Sequence, residues 1–439
     1  MDRPNIILIF SDQQRADTLG CYKNPMGLTP NLDKLAQEGV RFENAFTNQP
    51  VCGPARGCLF TGKYATTMGV WRNGLGINPG ERTSASILSK AGYQSAYIGK
   101  WHLAPKDACN NGAVPPEYRG GFGDLWEGVN TLESTTHPYE GVIYDEKGDE
   151  IRFKDTYRVD FLTERTIRFI RERDREKPFF LSLSFLEPHQ QNDWKRMAGP
   201  DGYARQLQNP YVPPDLKFFP GDWQEQLPDY YACVRRIDEC TGKIIGALKE
   251  SGDYENTVII YTSDHGCHFK TRNTEYKRSC HEASIRIPLI VSGPGCEKSV
   301  QPRNFASIVD ITPTILELAG EEIPGDAEGK SLKGILAGEN PPWEDEIFIQ
   351  ISGYMTGRAI RTPRWKYCAA TPQKAGRAFS ETYTEYQLYD LYSDPWELVN
   401  LAGRSGYREI SEVLRHKLSR KIEDTEKRKA DILPPLLYP

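Results

Sequence analysis

The chain alternates short, almost unbroken apolar runs with longer stretches that keep an apolar residue every three or four positions. Residues 5–10 run Asn-Ile-Ile-Leu-Ile-Phe and end in Ser11-Asp12. This is the pattern of a strand buried on both faces, as in a parallel sheet. Further strands are predicted at Gln94–Ile98, Phe179–Phe185, Thr257–Tyr261 and Ile287–Val291. Between them lie helical patterns. Thr29-Pro30 opens a helix with Leu32, Leu35 and Ala36 as its apolar stripe and Gly39 as its stop. Another starts at Cys52, with Pro54 tolerated in the first turn and Gly62 as C-cap. Helices are also predicted over 83–91, 156–175 (with Val159, Leu162, Ile167 and Ile170), about 225–250 and 306–319. Residues 105–150 and 190–224, rich in Gly, Pro, Asn and Gln, read as irregular surface excursions.

This alternation predicts an α/β domain over residues 1–340, with a large doubly wound mixed or parallel sheet flanked by helices. The pattern changes afterwards. Short strands at Ile347–Ile351, Arg358–Ile360, Lys366–Ala370 and Tyr386–Tyr389, then a basic helix over about 407–428, predict a smaller C-terminal α+β domain over 341–439 with a short antiparallel sheet. The apolar tail from Ile432 to Pro439 holds too many prolines for a helix. It is expected to dock, with a neighbouring subunit as one candidate surface and a homo-oligomer as the consequence.

Composition narrows the function. The net charge is −5 and no basic block occurs, so nucleic acid is not an expected partner. No apolar run approaches the ~18 residues of a membrane span. The apolar part of residues 1–10 is about five residues, below the ~7–15 of a signal peptide's core, so the protein is expected in the cytoplasm. Ten cysteines without a CxxC pair suggest reduced thiols rather than a disulfide framework. Cys267-His268 and Cys280-His281 lack the second pair that a zinc site needs.

Polar clusters end four of the predicted strands: Asp12-Gln13, Lys100-Trp101-His102, His189 and Asp264-His265. In a parallel sheet the C-terminal strand ends form the functional edge. Cys52, at a helix N-terminus, has its thiolate favoured by the helix dipole. The free N–H groups there also make an anion site, with Arg56 one turn along. Taken singly, each residue has a plainer reading. Cys52 is equally well a buried structural cysteine, Asp12 a cap, His189 a loop residue and Asp264-His265-Gly266 a turn.

The stretch Cys52-Gly53-Pro54-Ala55-Arg56, followed by Thr61-Gly62, resembles the signature of the formylglycine-dependent (type I) sulfatases of the alkaline phosphatase superfamily. The resemblance extends to Thr29-Pro30-Asn31-Leu32-Asp33-Lys34-Leu35, Gly99-Lys100-Trp101-His102, Pro188-His189 and Ser263-Asp264-His265-Gly266. Lys277 with Glu282, Arg286 and Pro288 continues it, as do Leu388-Tyr389-Asp390-Leu391 and Asp394-Pro395-Trp396-Glu397.

The resemblance implies a sulfuric ester hydrolase in which a maturase oxidises Cys52 to formylglycine. It implies a divalent metal, calcium first with manganese or zinc as alternatives, held by Asp12, Gln13, Asp264, His265 and the residue at position 52. Arg56 would polarise the hydrated aldehyde. Lys100, Lys277 and His189 would surround the sulfate, with His189 or Lys277 serving the leaving oxygen. His102 would be the base for collapse to the aldehyde. Gln13 and His265 depart from the family's usual Asp and Asn. Together with Cys-Gly-Pro-Ala-Arg they also resemble phosphonate monoester hydrolases of the same superfamily. A non-catalytic anion- or glycan-binding relative with an unmodified Cys52 is a third reading. Trp71, Arg72 and Asn73, and His268, Lys270 and Arg272, are candidate contacts to a small sulfated mono- or disaccharide, with a solvated polar loop as the plainer alternative.

Overall fold

The computed structural model describes residues 3–371 and 376–435. Strand β1 (Asn5–Asp12) is buried at every position and lies inside a ten-stranded sheet. It pairs in parallel with Thr257–Ser263 on one side and Phe179–Pro188 on the other. Gln94–Lys100 continues the parallel set beside Phe179–Pro188, and Leu125–Val129 follows it. Antiparallel strands close both edges. Leu289–Ser292 and Gly39–Arg41 lie on one side, and Glu140–Tyr144 with Thr136–His137 and Glu150–Lys154 on the other.

Successive side chains of β1 enter different cores, as the two-residue period of a strand requires. Ile6, Leu8 and Phe10 pack with Ala55, Leu59 and Phe60 of the helix Cys52–Thr61 and with Ile311 and Ile315 of the helix Ile311–Leu318. Ile7 and Ile9 pack with Leu162 and Ile170 of the helix Arg158–Glu172 and with Ile237, Ile244 and Leu248 of the helix Trp223–Ser251. The sheet is therefore sandwiched between two helical layers. Among the described residues, no helix is long and apolar enough to cross a membrane.

Two expectations need correction. Residues 105–150 are not irregular throughout, because Leu125–Val129 completes the parallel set and three antiparallel strands begin within or just beyond that stretch. Residues 306–319 are not one helix: Ala306–Ser307 is extended and pairs with Ala45–Phe46 before the helix starts at Ile311. The tail is expected to dock, and its first residues do so, on their own chain. Asp431–Leu433 adds a parallel strand to Thr382–Thr384, with Ile432 buried, while residues 436–439 lie outside the described residues.

The C-terminal sheet runs Ile347–Ile351, Thr356–Arg361, Trp365–Thr371, Thr382–Asp390 and Asp431–Leu433, antiparallel except for the last pair. Leu414, Leu418 and Ile422 of the helix Arg408–Glu426 join Phe348, Ile360 and Tyr367 in the same core that holds Ile6 and Phe10. A buried charge cluster reinforces this junction. Lys366 Nζ, fully enclosed, lies 2.7 Å from Glu282 Oε1 and 2.6 Å from Glu397 Oε1, and Arg361 Nε lies 3.3 Å from Glu282. Removing the central cation would leave two carboxylates facing each other out of water. Lys366→Met is therefore expected to lower the unfolding free energy by about 3–5 kcal/mol, read by chemical denaturation, whereas a loss below 1 kcal/mol would mean that the cluster contributes little.

Candidate active site

The strand ends converge as the parallel register dictates. Asp12 closes β1, Lys100 closes Gln94–Lys100, His189 follows Pro188, and Asp264-His265 follow Ser263. Two residues just past strand ends, Gln13 (φ 71°) and His102 (φ 61°), hold left-handed backbones that turn the chain sharply. Such conformations are costly for side chains with a Cβ and cluster where a site over-determines them.

Cys52 begins its helix on the apolar face of the sheet and reaches this edge. Its sulfur lies 3.3 Å from Asp12 Oδ1, 3.3 Å from His265 Nε2 and 2.9 Å from Lys277 Nζ, and His102 is near enough to favour its ionised form. Asn73 Oδ1 accepts the Gly53 N–H at 3.0 Å, satisfying one of the free donors at the helix start. Arg56 is entirely enclosed. Its Nη2 lies 3.1 Å from Asp12 Oδ2 and its Nε 3.2 Å from Asp264 Oδ2, while Nη1 donates to the Lys100 carbonyl and to Ser184 Oγ. The guanidinium thus grips the backs of two carboxylates and fixes their other oxygens toward the sulfur.

Among the described residues, Asp12, Cys52, Asp264 and His265 bring potential ligand atoms within 4.8 Å of one another. His265 Nδ1 is engaged by the Gly266 carbonyl at 2.9 Å, which leaves Nε2 facing the cluster. Gln13 Oε1 is buried without a hydrogen-bond partner, while its Nε2 donates to Gln190 Oε1. Two carboxylates, an orphaned amide oxygen and one imidazole nitrogen fit a divalent cation.

The electrostatics are those of a dry, cation-rich site. Burial and the nearby Cys52 oppose ionisation of Asp12, but Lys100, His189 and Lys277 outweigh them and hold its carboxyl below the usual range. Asp264 moves the other way, because burial and the Asp12 charge disfavour a second carboxylate. The Cys52 thiol is driven well down. Burial resists this, and Lys277, Lys100 and His265 overcome it. Lys100 stays protonated despite burial because Asp12 and Glu133 face it, at 2.8 and 3.0 Å.

The structure brings together Asp12, Gln13, Cys52, Arg56, Lys100, His102, Asp264, His265 and Lys277, with His189 close enough to act on the Asp12 charge. The proposed substrate contacts are dispersed among other partners. Lys270 pairs with Asp222 at 2.7 Å, and Arg272 donates to the carbonyls of Trp396 and Glu397. His268 is fully enclosed, with Nε2 3.0 Å from the Lys277 carbonyl. Trp71 offers its carbonyl to Gln49 and Ser352, and Arg72, exposed, lies over the Trp71 ring at 5.3 Å. Sequence reasoning missed Glu133 and Ser184. Ser184 lies inside a strand of alternating Ser and apolar residues, a pattern that reads as packing, and Glu133 belongs to the stretch taken for loop.

The model of the Sulfatase family matches residues 4–321, and that of the N-sulphoglucosamine sulphohydrolase C-terminal region matches residues 274–424. The N-acetylglucosamine-6-O-sulfatase of Bacteroides thetaiotaomicron is 28% identical over 513 aligned residues, covering 98% of this chain and 87% of the relative. The crystal structure of the Bacteroides fragilis yidJ protein superposes with a TM-score of 0.84 at 27% identity, covering 97% of each chain. The phosphonate monoester hydrolase of Agrobacterium radiobacter superposes with a TM-score of 0.75 at 25% identity, covering 95% of each chain.

His268 supplies a test of the packing behind Lys277. Burial lowers its imidazole to about 4, so it is neutral when folded and protonates near 6.5 when unfolded. A depressed folded value gives stability that is present above pH 6.5 and lost as pH falls toward 4, in total about 3 kcal/mol. His268→Gln keeps a donor for the Lys277 carbonyl but has no such titration. Its melting temperature is expected to fall less than that of the wild type between pH 7 and pH 4.5, and parallel curves would refute the assignment.

Proposed function

This chain belongs to the sulfatase family, and we propose that it hydrolyses the sulfate ester of a small sulfated carbohydrate through a formylglycine made from Cys52. The observation that carries the reading is the meeting of Cys52 with Asp12, Lys277 and His265, all within 3.3 Å of its sulfur, at the edge where the parallel strands end. A structural cysteine has no need of two lysines and a carboxylate pair around it.

Formylglycine would supply a hydrated aldehyde: one hydroxyl attacks sulfur as the ester oxygen departs, and the second drives C=O formation and expulsion of sulfate. The chain's own residues then have separable tasks. Lys277, already 2.9 Å from the atom at this position, is placed to hold the reacting group and the charge that grows on the sulfate oxygens. Lys100 adds a second enclosed ammonium. His102, in contact with position 52 and with Nδ1 free of partners, is the base that takes the hydroxyl proton for collapse. His189, with Nδ1 tied to the Gln190 carbonyl at 2.7 Å, has Nε2 left to protonate the departing ester oxygen. Arg56 acts behind the carboxylates and keeps both oriented.

Asp12, Gln13, Asp264 and His265 would hold the divalent cation, which supplies Lewis acidity at the attacking oxygen. Three oxygen donors favour calcium, while the imidazole leaves manganese or zinc as competitors. Chelation is expected to abolish activity and calcium to restore it; restoration by zinc or manganese alone would overturn the calcium assignment.

A carbohydrate substrate is supported by the N-acetylglucosamine-6-O-sulfatase likeness. Trp71 and the exposed Arg72 are the sugar-facing candidates, suited to stacking and to a uronic carboxylate. Arg72→Ala is expected to raise KM for a carboxylated sugar sulfate and leave an aryl sulfate unchanged. Equal effects would remove Arg72 from the substrate site. The second reading, a phosphonate monoester hydrolase, is favoured by Gln13, His265 and the structural match to that enzyme.

The deciding measurement is the mass of the Cys52 peptide from protein made with a formylglycine-generating maturase, followed by turnover of sulfated sugars and a phosphonate monoester. The expected result is the aldehyde or its hydrate, with the sulfated sugar as the faster substrate. An intact thiol would overturn the mechanism, and a faster phosphonate ester would favour the second reading.

A further inference from the structure

Glu133 has no role in the chemistry above, yet it belongs to the site. It lies on the short helix Leu132–Thr135, with its carboxylate 3.0 Å from Lys100 Nζ and more than nine-tenths buried. Its backbone is pinned: Gln191 Nε2 donates to the Glu133 carbonyl at 2.9 Å and to the Thr136 carbonyl at 3.1 Å, and Arg158 Nη1 donates to Thr136 Oγ1 at 2.8 Å. The other carboxylate oxygen, Oε2, is buried without a partner. Burial opposes its ionisation, but Lys100 foremost, then His189 and His102, hold the carboxyl at about 2. It is therefore a permanent negative charge set among the groups that face the anion.

A carboxylate there is paradoxical if the pocket serves only to attract anions. We propose that Glu133 sets the charge selectivity of the pocket, lowering the positive potential around Lys100 so that singly charged esters are favoured over doubly charged ones. The physical basis is that the energy of a ligand in a fixed field scales with its charge. One negative charge beside Lys100 penalises a monoanion once and a dianion twice, whatever the rest of the site contributes. A sulfate monoester carries one charge, whereas a phosphate monoester above its second pKa near 6 carries close to two. Both are tetrahedral and similar in size, so shape alone separates them poorly. Glu133 supplies the missing discrimination, acting through Lys100 as a positioning and field-setting residue.

The inference rests on reading this site as a pocket for sulfate esters, and its test is binding without turnover, so that the two can fail separately. Calcium-loaded Cys52→Ala protein is titrated calorimetrically at pH 8 with 4-nitrophenyl sulfate, 4-nitrophenyl phosphate and methyl 4-nitrophenyl phosphate. The last is a singly charged phosphorus ester. Adding Glu133→Gln is expected to improve phosphate monoester binding relative to sulfate by roughly ten- to a hundredfold, while the two monoanions keep their ratio. Glu133→Asp, which retains the charge, should stay near the parent ratio. Glu133→Ser, neutral and smaller, carries the same expectation as Gln should the amide fail to fold. Equal loss for all three ligands would mean a merely structural role, and a methyl diester that follows the dianion would mean that phosphorus rather than charge is being sensed. Either result overturns the inference. A maturated wild-type enzyme that hydrolyses no sulfate ester would instead bring down the functional reading and leave the binding ratio standing.

Discussion

Two carboxylates held face to face by one guanidinium are the constraint from which the rest of this site follows. Asp12 and Asp264 come from neighbouring parallel strands, and both are wholly removed from water. Without Arg56 between their outer oxygens, they would repel each other in a medium that screens poorly. Arg56 reaches them from the helix Cys52–Thr61, so the same helix that places position 52 also locks the acids opposite it. The position of residue 52 and the orientation of the two carboxylates are thus set by a single rigid element resting on the sheet's apolar face, which is the support that a site accurate to fractions of an ångström requires.

The unbroken apolar runs made the central strands legible, because burial on both faces leaves no room for polar alternation. The chemistry at their ends was legible for a related reason: polar residues directly after such runs have few places to go except the sheet edge. Leu125–Val129 escaped because Glu127 and Gly128 break its pattern. The structure accounts for both. Glu127 is paired with Arg165, and a Cβ on Gly128 would come within 3.0 Å of the Gly99 carbonyl. Glu133 escaped for a different reason. A lone glutamate in a Gly- and Pro-rich stretch has no meaning until the fold delivers Lys100 to it. Lys270 and Arg272 show the converse, since their charge suited an anionic substrate on sequence grounds but is spent on Asp222 and on C-terminal carbonyls.

The C-terminal sheet is part of this economy. Arg272 donates to the carbonyls of Trp396 and Glu397, while Glu397 and Glu282 share Lys366. The segment 272–282, which carries Lys277, is therefore anchored at one end to the loop that follows the strand Thr382–Asp390 and at the other to Lys366 of the smaller sheet. Lys277 itself is a long, flexible cation, and its placement 2.9 Å from position 52 depends on that anchoring rather than on its own stiffness.

The surroundings of position 52 also bear on which chemical group belongs there. A thiolate at this position accepts well from Lys277 but sits 3.3 Å from an Asp12 oxygen that is itself ionised, so two negative groups meet without water between them. A neutral thiol relieves that conflict by donating to Asp12, and in doing so it gives up its charge and the pairing with Lys277. A hydroxyl resolves both demands. It can donate to Asp12 Oδ1, accept from Lys277, and remain uncharged. The donors and acceptors around Cys52 therefore suit a hydroxyl-bearing centre better than sulfur in either protonation state, and a geminal pair of hydroxyls can use the two directions at once.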